Sequence, residues 1–291
     1  MFIKTMAEET NERKNLLDHI SEIDKISDQQ WKGSLAERKL KELEFHDRDR
    51  DQLRIENVKS TDTYEKFYGN KKYYAVTKRS NQFVKNWIAT ESKGKVFLDY
   101  ACGNGGNAIF AAQTGAELSL GFDISGVSVE NARDAAVAAG LNDNIRFFQA
   151  DAENTKLPEN SIDAIVCSGV LHHLDLSYAF PELRRILKPG GKVLAVEALD
   201  YNPVIKLYRF LTPDMRTEWE KAHILNLSDV KFASRFFDVK EVRYWHVAGY
   251  ASGKFPWLFP LLDRLDLVLE KIRYVQHMAW IFTFVLEKRN E

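Results

Sequence analysis

Val96-Phe97-Leu98-Asp99-Tyr100-Ala101-Cys102-Gly103-Asn104-Gly105-Gly106-Asn107 reads as a strand that runs into a glycine-rich turn and then opens a helix. Val96 to Leu98 are apolar, as expected of a parallel strand covered on both faces. Gly103, Gly105 and Gly106 let the chain turn sharply and leave room for a ligand where a Cβ would collide. The helix that starts at about Asn107 offers its first free N–H groups to polar ligand atoms. Many nucleotide-binding folds carry such a loop, so its meaning depends on the strands and helices downstream of it.

Those elements alternate. Glu117 to Phe122 is a second strand ending at Asp123, and a helix from about Ser128 to Ala139 stops at Gly140. Ile145 to Ala150 is a third strand ending at Asp151, and Ser161 to Ser168 is a fourth. A helix over Leu176 to Leu187 closes at the turn Lys188-Pro189-Gly190-Gly191 before a fifth strand, Lys192 to Glu197. This alternation predicts an α/β fold with a Rossmann-like, doubly wound parallel sheet. Beyond Asp200 the pattern changes. A helix runs from Asn202-Pro203 to Leu211, and a polar helical stretch leads to Ile224. Another helix spans Ser228 to Phe237, and Lys240 to Val247 is a strand candidate. A helical insertion covers Ala251 to Arg273 before an apolar last strand, Trp280 to Glu287.

The 291 residues suit one large α/β domain with additions or two small domains. Hydrophobic residues at 45% and charged residues at 29% are ordinary for a soluble globular protein. A net charge of −1 gives no global case for nucleic acid or an anionic membrane as partner. Cys102 and Cys167 fall in or beside predicted strands, which argues against a disulfide framework and fits a reducing cytoplasm. With so few thiols and no paired His/Cys spacing, no metal is expected. Met1 to Lys14 lacks the apolar core of a signal peptide, and no apolar run reaches the ~20 residues of a membrane span.

Residues 1 to about 60 are highly charged and read as helices. Leu16, Leu17, Ile20, Ile23 and Ile26 recur at helical spacing, so this segment packs against something. Glu44-Phe45-His46-Asp47 ends a Lys/Glu-rich helix. Its plain reading is a solvated helix and linker; the sharper one is a cap whose Phe45 and His46 reach the site. Tyr64, Phe67, Tyr68, Tyr73, Tyr74, Phe83 and Trp87 make residues 61–90 rich in aromatics. Phe83, Trp87 and Ile88 suit one face of a helix packed on the sheet.

Asp123, Asp151 and Ser168 all end strands at the same edge of the predicted sheet. In such a crevice Asp123 can accept hydrogen bonds from both ribose hydroxyls of a nucleoside, and Asp151 from an adenine amino group. With these residues the sequence resembles the class I S-adenosylmethionine-dependent methyltransferases, and more loosely Glu197-Ala198, Asn202-Pro203, Leu207-Tyr208-Arg209 and Thr212 to Thr217 resemble a bacterial small-molecule subgroup of them. The matching motifs are Leu98 to Gly105, Gly121-Phe122-Asp123-Ile124-Ser125, Asp151-Ala152-Glu153, Leu171-His172-His173-Leu174 and Leu187-Lys188-Pro189-Gly190-Gly191. The resemblance implies S-adenosylmethionine as cofactor and a seven-stranded sheet with a reversed last strand. It implies that Asp99 and the loop of Ala101, Gly103 and Gly105 hold the methionine end. Asp123 would hold the ribose with Ile124 against the adenine, Asp151 and Ala152 would meet the adenine edge, and Ser168 would lie beneath the sulfonium. Ala101 departs from the family, which more often has glycine there. The expected organisation is an N-terminal helical cap over residues 1–90 and a methyltransferase domain over 91–291. That domain divides into a cofactor-binding core at 95–200 and an acceptor-side region with the insertion at 201–278.

The implied chemistry is in-line attack of a nucleophile on the sulfonium methyl, with the reactants held close in a water-poor pocket. An oxygen acceptor benefits from a general base, and an imidazole suits that task. His173 is the first candidate and His172 the second; either can instead serve to orient its loop. His46 and His223 are weaker candidates. Arg209 and Arg216 could bind a carboxylate or phosphate of the acceptor, or form surface salt bridges. The apolar insertion could be a lid, an interfacial helix in peripheral contact with a membrane, or packing against the N-terminal cap. The leading reading is methylation of a small-molecule or lipid-like acceptor at oxygen. An NAD(P)-dependent oxidoreductase and a noncatalytic interaction protein on the same fold are the alternatives. No nucleic-acid partner is expected, since Ser168-Gly169-Val170-Leu171 stands where a base-methylating enzyme would carry an Asn-Pro-Pro-Tyr-type tetrad. The oligomeric state is left open.

Overall fold

The first strand of the glycine-loop unit, β1 (Val96–Tyr100), is buried along its whole length and sits near the middle of the sheet. The structure is a computed structural model that describes residues 6–51, 55–56 and 76–290. Its strands are β2 (Leu118–Asp123), β3 (Ile145–Gln149), β4 (Ile162–Ser168), β5 (Leu187–Ala198), β6 (Asp238–Trp245) and β7 (Ile281–Glu287). They form one seven-stranded sheet in the order β3-β2-β1-β4-β5-β7-β6. β1 to β5 pair in parallel, and β7 runs antiparallel to both β5 and β6. This is the seven-stranded sheet with a reversed last strand that the sequence led us to expect. Chain order reverses direction between β1 and β4, and a crevice opens there at the strands' C-terminal ends.

Side chains alternate along each strand, so each face of the sheet receives its own helices. Leu98, Tyr100, Leu120 and Phe122 pack with Leu16 and Ile20 of α1 (Met6–Ile23). Phe97, Ala164 and Val166 pack on the opposite face with Val84 and Ile88 of a helix over Lys78–Glu91. Between α1 and that helix the described residues also include α2 (Asp28–Ser34) and α3 (Glu37–Arg50), and the helix over Lys78–Glu91 is labelled α4. The sheet-flanking helices that come next are α5 (Gly106–Gln113), α6 (Gly126–Ala138) and α7 (Leu176–Ile186). Beyond β5 come α8 (Pro203–Leu211), α9 (Glu218–Ala222), α10 (Leu227–Ala233) and α11 (Phe259–Leu269).

Several expectations shift. Ile26 falls beyond the end of α1 and is exposed. The predicted turn Lys188 to Gly191 lies within β5, where the pairing with β4 slips between Ile162 and Ala164. The insertion is not one helix. Short 3₁₀ turns occupy Gly249–Gly253 and Pro256–Leu258 before α11, because Pro256 and Pro260 lack the N–H groups that a helix interior needs. The insertion packs on α4. Arg79 donates to Asp263 Oδ1 at 2.7 Å and forks onto both oxygens of Glu270 at 2.7 Å each. Tyr64, Phe67, Tyr68, Tyr73 and Tyr74 lie outside the described residues.

Candidate functional site

The chain turns through three left-handed residues as it leaves β1: Ala101 (φ 56°), Gly103 (φ 52°) and Gly105 (φ 76°). Ala101 carries a Cβ in a region that costs L-residues ~1–2 kcal/mol, which explains a preference for glycine at this point of the loop. Gly105 is fixed by packing as well. A Cβ there would lie 2.6 Å from the ring of Phe147, and one at Gly121 would meet the same ring at 2.6 Å. Phe147 therefore forms the floor on which the loop and β2 rest.

The carboxylates organise this loop. Asp123 is buried and accepts from Gly103 N at 2.9 Å on one oxygen and from Ser125 N at 3.0 Å on the other. One lone pair on each oxygen remains for a pair of hydroxyls. Burial raises its pKa despite those two bonds. Asp99, 2% exposed, accepts from Asn107 Nδ2 and Ala108 N at the start of α5, each at 3.2 Å. Burial outweighs these bonds and pushes its pKa up to about 7. Asp151 accepts from Glu153 N at 2.9 Å.

Ala101, Asp123, Ile124, Asp151, Ala152, Ser168 and His173 line one cleft. Asp99, Gly103, Gly105 and His172 are not on its wall, although Gly103 touches it through Asp123. These residues fit a nucleoside cofactor. The two spare acceptor positions of Asp123 face a cleft whose wall beside it is apolar, formed by Phe122, Ile124 and Ala152.

α3 lies across this cleft. Leu43 and Ile124 belong to a small apolar cluster with Trp31 and Leu35, which seats the helix. Lys39 Nζ reaches Asp151 Oδ2 at 2.5 Å and Glu153 Oε2 at 2.9 Å. Arg38 bonds Glu153 and donates to His173 O at 2.9 Å. Asp47 accepts from Ser125 Oγ at 2.5 Å, and Arg50 packs against Gly103. The space left between α3 and the strand ends is about 80 Å³. α3 is thus a cap, as in the sharper of the two sequence readings, and not a solvated linker. His46 lines the cleft, whereas Phe45 faces an outer groove. Lys39, Arg38 and Glu42 were not singled out from the sequence, because they read as one charged helix face.

The two histidines have different surroundings. His173 Nδ1 lies 2.9 Å from Glu42 Oε2, and its ring meets His46 edge-on with centroids 4.9 Å apart. Burial holds the His46 pKa well below the ordinary imidazole value, and His173, Arg50 and His172 add to the effect. Glu42, His46 and His173 each offer a donor atom within 4.8 Å of the others, but Glu42 and His173 already satisfy one another. His172 Nδ1 lies 2.6 Å from Glu197 Oε2. Glu197, 1% exposed at the end of β5, also accepts from Val170 N at 2.9 Å and Leu171 N at 2.8 Å. It therefore fixes both the loop after β4 and the ring upon it. Burial opposes a charge on His172, but Glu197 outweighs burial and leaves its pKa raised. The ring's other nitrogen faces Glu220 at 3.9 Å, which in turn meets Arg216 Nε at 3.5 Å. The sequence offered one sign of Glu197: a carboxylate in an otherwise apolar strand.

Arg209 and Arg216 line a second cavity of about 250 Å³ with Val204, Tyr208, Phe255 and Trp280. Both arginines are nearly buried and partnered. Arg209 meets Asp200 at 3.2 Å, and Arg216 donates to Thr212 O at 2.9 Å. The ion pairs are those of nearly buried side chains and not of a surface, and both arginines stand on the cavity wall. His223 Nδ1 bonds Trp219 O at 2.7 Å within its own helix segment, away from this wall.

Comparisons with known proteins bear on this arrangement. Residues 98–195 match the family described as a methyltransferase domain. The chain is 31% identical over 132 residues to a ribosomal protein L11 methyltransferase of Photobacterium profundum, covering 43% of each protein. It is 36% identical over 101 residues to the 27-O-demethylrifamycin SV methyltransferase of Amycolatopsis mediterranei, covering 34% of this chain and 37% of that protein. It is 34% identical over 197 residues to a sterol 24-C-methyltransferase of Gibberella zeae, covering 65% and 49%. The chain thus spans half or less of the length of these relatives. Among solved structures, a geranyl diphosphate methyltransferase in complex with geranyl diphosphate and sinefungin superposes with a TM-score of 0.51 at 16% identity. The match covers 72% of this chain and 77% of that one.

Proposed function

Residues 98–195 are a class I S-adenosylmethionine-dependent methyltransferase domain, and from that premise we propose that the protein methylates an amphiphilic, lipid-like small molecule at oxygen. The observation that carries this reading is the largely apolar cavity beyond the cofactor cleft, with Arg209 and Arg216 on its wall. Apolar lining suits a hydrocarbon body, and the two guanidinium groups suit an acidic or polar headgroup. Relatives named for sterol and ubiquinone/menaquinone methylation support a lipid-like acceptor, and the rifamycin relative supports an oxygen.

Bound S-adenosylmethionine supplies an electrophilic methyl on a cationic sulfur. Asp123 would hold the ribose and Asp99 the α-ammonium end, while Asp151, released from Lys39, would take the adenine edge. His172 is the proposed base: His173 is the ring that lines the cleft, but the tautomer of His172 is the one a buried strand carboxylate sets. Glu197 holds its Nδ1–H, so the lone pair sits on Nε2, on the side of Glu220 and Arg216. That nitrogen would accept the proton of the acceptor hydroxyl, and Glu197 would stabilise the resulting imidazolium. Glu197 is a positioning residue and His172 the catalytic one. Calorimetric titration with S-adenosylmethionine and S-adenosylhomocysteine, with NAD as control, tests the cofactor; a screen of apolar hydroxylated metabolites then tests the acceptor. Binding of NAD alone, or of no cofactor, refutes the reading.

A further inference from the structure

The second cavity opens between α8 and the segment after the first 3₁₀ turn of the insertion. Val204 and Phe255 both line it, yet they are 60% and 48% exposed, so they stand at its mouth. Asn202 ties the two sides together: its Nδ2 donates to Met278 O at 2.6 Å and lies 3.4 Å from Tyr250 Oη. From this mouth, apolar side chains continue outward over both rims. Leu207, Phe210 and Leu211 extend along α8, with Phe210 81% exposed, and Trp257, 78% exposed, lies two residues beyond Phe255. Helical spacing places Val204, Leu207 and Leu211 on one face of α8, which meets the cavity at Val204, and Ile205 and Arg209 on another, which turns toward the cavity and the fold. So α8 has two apolar sides, one of them without a partner among the described residues.

We propose that this rim is a membrane-docking surface, through which an amphiphilic acceptor passes from an anionic bilayer leaflet into the cavity. The proposal rests on the acceptor reading above. Three observations select a bilayer as the occupant. The apolar rim is continuous with the lining of the cavity, so a lipid can move from one to the other without crossing water. The protruding side chains are an aromatic pair with aliphatic neighbours, the composition of an interfacial segment rather than a span. The exposed charge on the rim is the cation Lys254, which complements anionic headgroups, while Arg209 and Arg216 behind it are ion-paired with Asp200 and Glu220. A second copy of the chain on this face would set Lys254 against its own image and seal the mouth.

The test is sedimentation of the full chain with phosphatidylcholine vesicles and with phosphatidylcholine/phosphatidylglycerol vesicles. The comparison variants are Phe210→Glu, Trp257→Glu and a control, Val137→Glu. Val137 is exposed on α6, beside the opposite edge of the sheet. The proposal expects the parent to bind the anionic vesicles more tightly, with salt weakening the difference. It expects each rim variant to lose roughly tenfold or more of the partition coefficient and the control to lose none. Absence of parent binding, equal binding by the rim variants, or a dimer that Phe210→Glu dissociates would each overturn it. Titration of the same variants with S-adenosylmethionine keeps the two readings apart. Intact cofactor binding with no vesicle binding removes the docking surface alone, and loss of cofactor binding in the parent removes the methyltransferase reading.

Discussion

Glu197→Gln isolates the role of the buried carboxylate with little change of volume. In the parent, Oε1 accepts from Val170 N and Leu171 N, and Oε2 faces His172 Nδ1. A glutamine can keep its amide oxygen on the two backbone donors, because turning the NH₂ toward them would set donors against donors. Its NH₂ then faces His172, which must present a lone pair at Nδ1 and carry its proton on Nε2. The base is thereby reversed. The neutral ring no longer has an acceptor on the cavity side, and turnover should fall by ~10²–10⁴-fold, the span attributed to general-base catalysis. The charged hydrogen bond is lost as well, at ~1.5–3 kcal/mol of stability. Its pH dependence has a definite sign. The pKa of His172 is raised in the folded protein, so this contribution is fully present below the ordinary imidazole value and is lost as pH rises through the folded one. The variant's deficit in stability should therefore be largest in mildly acidic buffer and shrink in alkaline buffer. An NMR titration of ¹⁵N-labelled imidazoles reads the same events without an acceptor. The parent should titrate above the ordinary value with an Nδ1–H neutral form. The variant should titrate below the parent, because Glu197 no longer offsets burial while Glu220 and Arg209 act as before, with an Nε2–H form. A parent His172 that titrates in the ordinary range, or a variant with unchanged tautomer, would refute the dyad.

Asp123→Ala should weaken S-adenosylmethionine binding by ~10²-fold or more in calorimetry, since two hydrogen bonds to a carboxylate are worth ~1.5–3 kcal/mol each; an unchanged affinity would remove Asp123 from the ribose site. Lys39→Met should speed cofactor association and tighten affinity by about tenfold in stopped-flow measurements, because Lys39 holds Asp151 and latches α3 over the cleft. Slower association would mean that Lys39 grips the cofactor instead. Gly105→Ala should cost ~2–5 kcal/mol in denaturant unfolding, combining a left-handed backbone with a Cβ 2.6 Å from Phe147. A loss below about 1 kcal/mol would show that Phe147 yields.

The parts legible in the sequence were those set by local pattern and chain order. Alternating apolar strands and helices, each strand closed by Asp123, Asp151 or Ser168, decide a doubly wound sheet and the edge at which its polar groups meet. What stayed hidden depends on contacts between distant segments. Glu42 and Lys39 are one charged helix face in sequence, and only the seating of Leu43 beside Ile124 turns that face onto His173 and Asp151. The order of preference between His172 and His173 could not be settled by their shared motif either. It turns on partners 25 residues downstream and 131 residues upstream, at Glu197 and Glu42. The cap also sets a condition on the cofactor. A cleft of about 80 Å³ is far below the ~300–1,000 Å³ of a pocket that encloses a drug-sized ligand, so a nucleoside cofactor must displace α3. That displacement breaks the ion pairs of Lys39 with Asp151 and Glu153 and disturbs the bond between Glu42 and His173. His173 is thus bonded to a residue of the cap, whereas His172 is bonded to Glu197 of β5, outside the cap. The proposed assignment of proton transfer to His172 rests on this difference, because the carboxylate that holds its ring belongs to the sheet and not to the cap.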